Sequence, residues 1–307
     1  MKRAAFAQVV AATATAFNAD LKVDRQRTRE HLAWLLDNGC DGAVLFGSTG
    51  ESASLTFAER RAILEDLVAA GVPAQRLLVG TGCCTIEDTI ALSDHAVSMG
   101  CAGALIHPPF FFKGVADEGV EAFYCRVIDG LASPNSRIYL YHFPQTTGVG
   151  ISPALTGKLL RRYPDNIAGY KDSSGVFENT LTITREFPML EVFVATESRL
   201  VEFLAAGGAG CISATANVQP GAIRRLLNAG TTERATALQA KVVQLRSAIE
   251  GPQVVSRVKA LLAEIHGDEG WRTPRPPLTS VTAAEIRSML QTLGMMVGDF
   301  APLEEPT

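Results

Sequence analysis

Residues 138–175 read IYLYHFPQTTGVGISPALTGKLLRRYPDNIAGYKDSSG. Two apolar runs in this stretch each end on a reactive polar side chain, Tyr141 in the first and Lys171 in the second, 30 residues apart. That spacing is the length of one strand–helix–strand unit with parallel strands. Pro153 fits the first turn of the intervening helix. A lysine at the end of an apolar strand is costly to bury while charged, so its presence there calls for a chemical reason. Lys171 is therefore the first functional candidate.

Outward from this unit the same alternation repeats. Short apolar runs suited to buried strands fall at 6–14, 42–47, 76–82, 103–109, 138–144, 167–174, 190–195 and 210–215. Helical spacing lies between them: Leu32, Leu35 and Leu36 share one face, and Thr56 with Glu59 makes a capping-box pattern. Further helices are expected at 85–99, from about Asp117, after Pro153, at 198–206 and at 221–228. Eight strand–helix repeats with strands apolar on both faces indicate an α/β protein whose parallel sheet closes into a (β/α)8 TIM barrel. The open doubly wound alternative lacks its glycine fingerprint, since neither GxGxxG nor GxxxxGK[ST] occurs. After residue 231 the alternation stops, and helices are expected at 231–249, 253–266 and 281–296. The expected division is a barrel over 1–228 and a C-terminal helical extension over 229–307, with Trp271 and a proline-rich loop sealing one side.

Composition bounds the function. The 307 residues are 47% hydrophobic and 20% charged, with a formal net charge of −4 and a pI near 5.8. No basic run or nucleic-acid signature is present, so nucleic acid is not an expected partner. Six cysteines without a CxxC pattern point to free thiols in a reducing, cytoplasmic setting. His31, His95, His107, His142 and His266 are scattered, which argues against a metal site. The basic start and small-residue run at the N-terminus resemble a secretory leader, but Gln8, Thr13 and Thr15 favour a first buried strand. No other run approaches the length of a membrane span.

In such a barrel the chemistry sits at the carboxyl ends of the strands. Three of those ends carry unusual polar groups: Ser48-Thr49-Gly50-Glu51, Tyr141 and Lys171. Tyr139 and Tyr141 share one strand face, and so do Gly169 and Lys171, with the glycine expected to leave room beside the lysine. A lysine attacks a carbonyl only when neutral, and apolar burial lowers a lysine pKa by up to several units. A neighbouring tyrosine would move protons, and the backbone amides of the Gly47–Gly50 turn would hold a carboxylate. Together these describe an enzyme forming a Schiff base with a 2-oxo acid. The plainer alternative has Lys171 paired with Asp172 or Glu51, Tyr141 as a core tyrosine, and His107 and His142 as packing residues.

GSTGE at 47–51, YHFP at 141–144 and GYKDSSG at 169–175 resemble three motifs of the dihydrodipicolinate synthase/N-acetylneuraminate lyase family. GGAGCISATANV at 207–218, PQVVSRVKALL at 252–262 and RPPLTSV at 275–281 resemble its later patterns. The resemblance implies a class I aldolase or dehydratase acting on pyruvate or a related 2-oxo acid, often as a homotetramer. It assigns the imine to Lys171, proton transfer to Tyr141, and carboxylate binding to Ser48 and Thr49 with Gly50, a hydroxyl of that turn assisting the tyrosine and Thr49 counted with Lys171 and Tyr141 as catalytic. The Ile212 carbonyl would border the pyruvyl site, and no metal or organic cofactor is implied beyond the covalent imine.

Three departures bear on the second substrate. Thr146 stands where dihydrodipicolinate synthases carry an arginine for the aldehyde's carboxylate. Phe110, Phe111 and Phe112 stand where those enzymes donate an interface tyrosine, and Ala214 replaces the sugar-binding serine of the sialate lyases. The expectation is a lyase whose second substrate is not the standard one. Its alternatives are a true 4-hydroxy-tetrahydrodipicolinate synthase using another residue for the arginine, and a non-catalytic protein binding a 2-oxo acid or sugar acid.

Overall fold

The computed structural model describes residues 6, 8–230 and 233–293. The order is β1 (Val9–Ala12), α1 (Arg25–Asp37), β2 (Gly42–Leu45), α2 (Phe57–Ala69), β3 (Leu77–Gly80), α3 (Ile86–Ser98), β4 (Gly103–Ile106) and α4 (Asp117–Gly130). There follow β5 (Ile138–His142), α5 (Pro144–Thr147), α6 (Pro153–Arg162), β6 (Ile167–Asp172), α7 (Phe177–Glu186), β7 (Glu191–Val194), α8 (Leu200–Ala205), β8 (Gly210–Ser213) and α9 (Pro220–Ala229). All eight strands are parallel and pair in chain order, and β1 closes on β8. Three C-terminal helices complete the described chain: α10 (Glu233–Ile249), α11 (Val254–His266) and α12 (Ala283–Thr292). Residues 231–232 and 294–296 of the expected helices, and residue 7 of the expected first strand, lie outside the described residues.

The strands are shorter than their apolar runs. β2 ends at Leu45 because Phe46 takes a left-handed conformation (φ 57°) and turns the chain out of the ladder. β8 ends at Ser213 before a 3-10 turn over Thr215–Asn217. Apolar residues past these points line loops rather than the sheet, so hydropathy alone overextends the strands.

Each strand is buried on both faces. Val10, Val44, Leu78, Leu105, Phe193 and Ile212 fill the barrel interior. Val9, Ile106, Leu140 and Tyr170 face the surrounding helices. The pairing of β5 with β6 contains one irregularity: Ile138 lies opposite Ile167, but Tyr139 lies opposite Gly169. Ala168 is thus an extra residue, a bulge. It shifts the phase of β6 by one, which aligns Lys171 with Tyr141 and directs both inward with Tyr139. Strict alternation from the outward-facing Ile167 would have sent Lys171 toward the helices.

Gly169 does not leave room beside the lysine as the sequence led us to expect. A Cβ there would lie 2.4 Å from Tyr139 Cδ1 and 2.6 Å from the Glu191 carbonyl. The space belongs to the Tyr139 ring, whose hydroxyl donates to Glu191 (2.8 Å) at the far end of the barrel.

The C-terminal helices attach through buried polar contacts as well as apolar ones. Trp271 is 1% exposed and packs edge-on against His31 of α1, with ring centroids 5.1 Å apart. The Asn217 amide donates to Ala12 and Ala214 carbonyls, which leaves its oxygen to accept from Ala14 N–H (3.0 Å) and His31 Nε2 (3.2 Å). His31 Nε2 therefore carries the proton, and Nδ1 accepts from His266 Nε2 of α11 at 3.1 Å. Burial pulls the His31 pKa down to about 3, so this relay is a neutral pair.

Candidate active site

Three strand ends deliver the polar groups singled out above. After β2 the chain turns through Gly47-Ser48-Thr49-Gly50, flanked by two left-handed non-glycine residues, Phe46 (φ 57°) and Glu51 (φ 55°). Such conformations persist only where the surroundings impose them. Gly50 permits the fold of this turn, since a Cβ there would stand 2.8 Å from the Thr13 carbonyl at the end of β1. Thr49 is buried, and the amide N–H groups of Thr49 and Gly50 find no acceptor among the described residues. Two unpaired donors in one tight turn make a site for an anion.

What imposes the turn is Glu51. Its carboxylate is 3% exposed, forms an ion pair with Lys259 of α11, and accepts from the Arg275 backbone N–H at 2.8 Å. Lys259 is fully buried, with its ammonium 4.2 Å above the Phe17 ring and donating to the Thr273 carbonyl at 2.9 Å. Burial pulls its pKa down to about 8 against the opposing pull of Glu51. Arg275 adds a bidentate pair to Glu59 at the start of α2 and a bond to the Ser54 carbonyl. The C-terminal segment thus grips the GSTGE turn from outside the barrel. Sequence reasoning missed this. The signal was a lysine in the middle of the apolar helical run VVSRVKALL.

Lys171 is 3% exposed, and its ammonium stands 4.2 Å from the centroid of the Tyr141 ring. Neither carboxylate proposed as a structural partner takes it. Glu51 pairs with Lys259, while Asp172 accepts from Ser174 N–H (2.8 Å), Asn179 (2.7 Å) and Thr180 (2.9 Å). The Tyr141 hydroxyl lies 3.3 Å from Ser48 Oγ. Burial raises the pKa of this phenol. The Lys171 charge and hydrogen bonds from Ser48, Ser173 and Lys171 outweigh it and hold Tyr141 below the usual tyrosine range. The hydroxyl against Tyr141 is that of Ser48; the Thr49 hydroxyl makes no hydrogen bond among the described residues.

A cavity of about 280 Å³ opens beside this pair, reached by Ser48, Tyr141 and Thr146. Lys171, Thr49, Gly50 and Ile212 are buried and are not among the residues that line it. Thr146 is exposed on α5, four residues long and closed by Gly148. Phe143 stacks on Tyr141, with centroids 5.9 Å apart. His107 also lines the cavity; its Nδ1–H donates to the Pro108 carbonyl (2.9 Å), and burial holds its pKa below the ordinary histidine value. His142 faces away, stacked on Tyr170 and accepting from Ile151 N–H at 2.9 Å. Ile212 is fully buried on β8 opposite Val10, and Ala214 is buried outside the cavity.

The model of the dihydrodipicolinate synthetase family matches residues 5–295. An uncharacterized DapA-like lyase of Chloroflexus aurantiacus is 30% identical over 290 residues, covering 93% of this chain and 96% of that relative. The crystal structure of dihydrodipicolinate synthase from Agrobacterium tumefaciens superposes with a TM-score of 0.85 at 31% identity, covering 94% of this chain and 98% of that one. YagE, a prophage protein of the same family from E. coli K12 solved in complex with pyruvate, superposes at 0.84 with 27% identity, covering 94% and 99%. With its closed barrel and with Lys171 beside Tyr141, this chain belongs to the dihydrodipicolinate synthetase family and is a Schiff-base-forming lyase.

Proposed function

We propose that Lys171 forms an imine with pyruvate or a closely related 2-oxo acid, and that the enamine derived from it is the reacting species. The amine nitrogen bonds to C2 of the 2-oxo acid, and the former carbonyl oxygen leaves as water with protons moved through Tyr141. Loss of a C3 proton then gives a nucleophilic carbon. In an aldol reaction that carbon bonds to a carbonyl carbon whose oxygen takes up a proton. In a dehydratase the neighbouring hydroxyl leaves as water. Hydrolysis of the imine restores Lys171 in either case, and the sequence of steps calls on no metal or organic cofactor.

The Thr49 and Gly50 amides hold the carboxylate of the 2-oxo acid, Ser48 orients the Tyr141 hydroxyl, and the Ile212 carbonyl borders the bound pyruvyl group. Thr146 stands at the entry for the second reactant. The observation that carries this reading is the Lys171 ammonium over the Tyr141 ring, with both nearby carboxylates committed elsewhere. A tyrosine held below its ordinary pKa beside a lysine gives the pair a route for proton exchange.

Borohydride reduction in the presence of pyruvate tests it. Peptide mapping should find the adduct on Lys171 and none on Lys259, the other buried lysine of the site region. Modification of Lys259, or of neither, would overturn the assignment. The same reading has the enzyme working in the cytoplasm as a homo-oligomer, a tetramer or dimer. The free thiols support the first point, and Phe111 and Phe112, 73% and 70% exposed on one loop, support the second. Sedimentation velocity distinguishes a monomer from either assembly.

A further inference from the structure

We propose that the carbonyl compound joined to, or released from, the Lys171 enamine carries an uncharged, apolar group, which the C-terminal segment helps to select. This rests on the preceding reading of Lys171. The 280 Å³ cavity beside Tyr141 has no lysine or arginine among its lining residues. Its one carboxylate, Glu51, is already paired with Lys259 and the Arg275 amide. Lys113, at the rim, has its ammonium on the carbonyls of Phe110 and Thr147. A substrate carboxylate entering here would lose water and meet no lysine or arginine in the lining, the nearby Arg60 being held on the Ser52 carbonyl, which opposes its binding.

The walls are apolar and come from two sources. Phe110 and Phe143 belong to the loops after β4 and β5, and Val255, Pro277 and Leu278 belong to the C-terminal segment. Phe143 stacks on Tyr141, and Phe110 sets its ring edge-to-face with His107, at a centroid distance of 5.4 Å. Aromatic faces and edges of this kind favour a planar apolar guest. The volume equals that of about nine water molecules in the liquid, enough for a single ring or a branched alkyl group. His107, neutral with its Nδ1 proton committed, leaves Nε2 as an acceptor for a hydroxyl on that guest. In the aldol direction the enamine carbon bonds to the aldehyde carbon, and the aldehyde oxygen becomes a hydroxyl on receiving a proton. The apolar substituent takes no part in the bond changes.

Two measurements test the proposal. Binding of benzyl alcohol and of 4-hydroxybutyrate, neither of which reacts with an amine, is compared by calorimetry on the wild type and on Leu278→Asp. Benzyl alcohol should bind at least about tenfold more tightly than 4-hydroxybutyrate, and lose about tenfold or more in the variant. This holds whether or not Lys171 forms an imine, so failure of the cavity reading and of the imine reading are told apart. Turnover with pyruvate is then compared for benzaldehyde and succinic semialdehyde in the wild type and in Thr146→Arg. Benzaldehyde should have the higher kcat/KM in the wild type, and the arginine should shift the ratio toward the semialdehyde. Equal binding of the two alcohols, or a wild-type preference for the semialdehyde, would overturn the proposal, and loss of that preference in Lys113→Met would place the missing charge at the rim.

Discussion

Lys259→Met is the sharpest test of how the site is held together. Lys259 and Glu51 are both buried, so the substitution leaves a carboxylate in the interior without its cation. Breaking a buried pair from one side costs about 3–5 kcal/mol. Loss of the bond to Thr273 and of the contact over Phe17 adds to this. The Arg275 amide stays on Glu51 and offsets part of it, so about 3 kcal/mol is expected. With an unfolding entropy of about 2.1 cal/mol/K per residue, a 307-residue chain should then melt about 5 °C lower. Lys259→Met combined with Glu51→Gln removes the stranded charge but keeps an acceptor for Arg275, and should recover at least about 1 kcal/mol. Urea unfolding and thermal melts of the four proteins in the cycle measure both terms. Because the pair holds the turn proposed to bind the carboxylate, pyruvate-dependent trapping of Lys171 in the single variant should need a higher pyruvate concentration. A single variant within about 1 kcal/mol of wild type, or a double variant no more stable than the single, would refute the clamp.

Three further outcomes follow from the same geometry. Gly169→Ala places a methyl against the Tyr139 ring and the unyielding Glu191 carbonyl, and should cost about 1–3 kcal/mol by urea unfolding; a change under about 0.5 kcal/mol would contradict the packing described. His31 is neutral in the fold down to about pH 3 but takes a proton in the unfolded chain below about 6.5. The unfolded state then binds more protons, so stability present above pH 6.5 is lost as pH falls, by up to about 1.4 kcal/mol per pH unit. His31→Gln should flatten that slope between pH 6.5 and 5, and an unchanged slope would show that His31 is not its source. Tyr141→Phe should lower kcat by about 10²–10⁴ while leaving the fold intact by circular dichroism, and activity within threefold of wild type would remove Tyr141 from proton transfer.

The sequence by itself determined the barrel and singled out Tyr141 and Lys171 as its candidate reactive groups. Apolar runs separated by helical spacing, repeated eight times, leave few arrangements in which every strand is buried on both faces. Tyr141 and Lys171 stood out because polar groups at the ends of apolar strands are costly without a purpose. The tertiary structure decided how those groups meet. Only the pairing of β5 with β6 reveals that Ala168 bulges, and that single extra residue turns Lys171 into the barrel beside Tyr141. Neither was it visible from local pattern that Gly169 serves the Tyr139 ring, or that Lys259, 208 positions after Glu51, holds the GSTGE turn through that residue. Hydropathy and spacing report what each segment buries within a turn or two of itself. Register shifts and long-range ion pairs depend on which segments become neighbours, and that is fixed only when the barrel closes and the C-terminal helices pack against it.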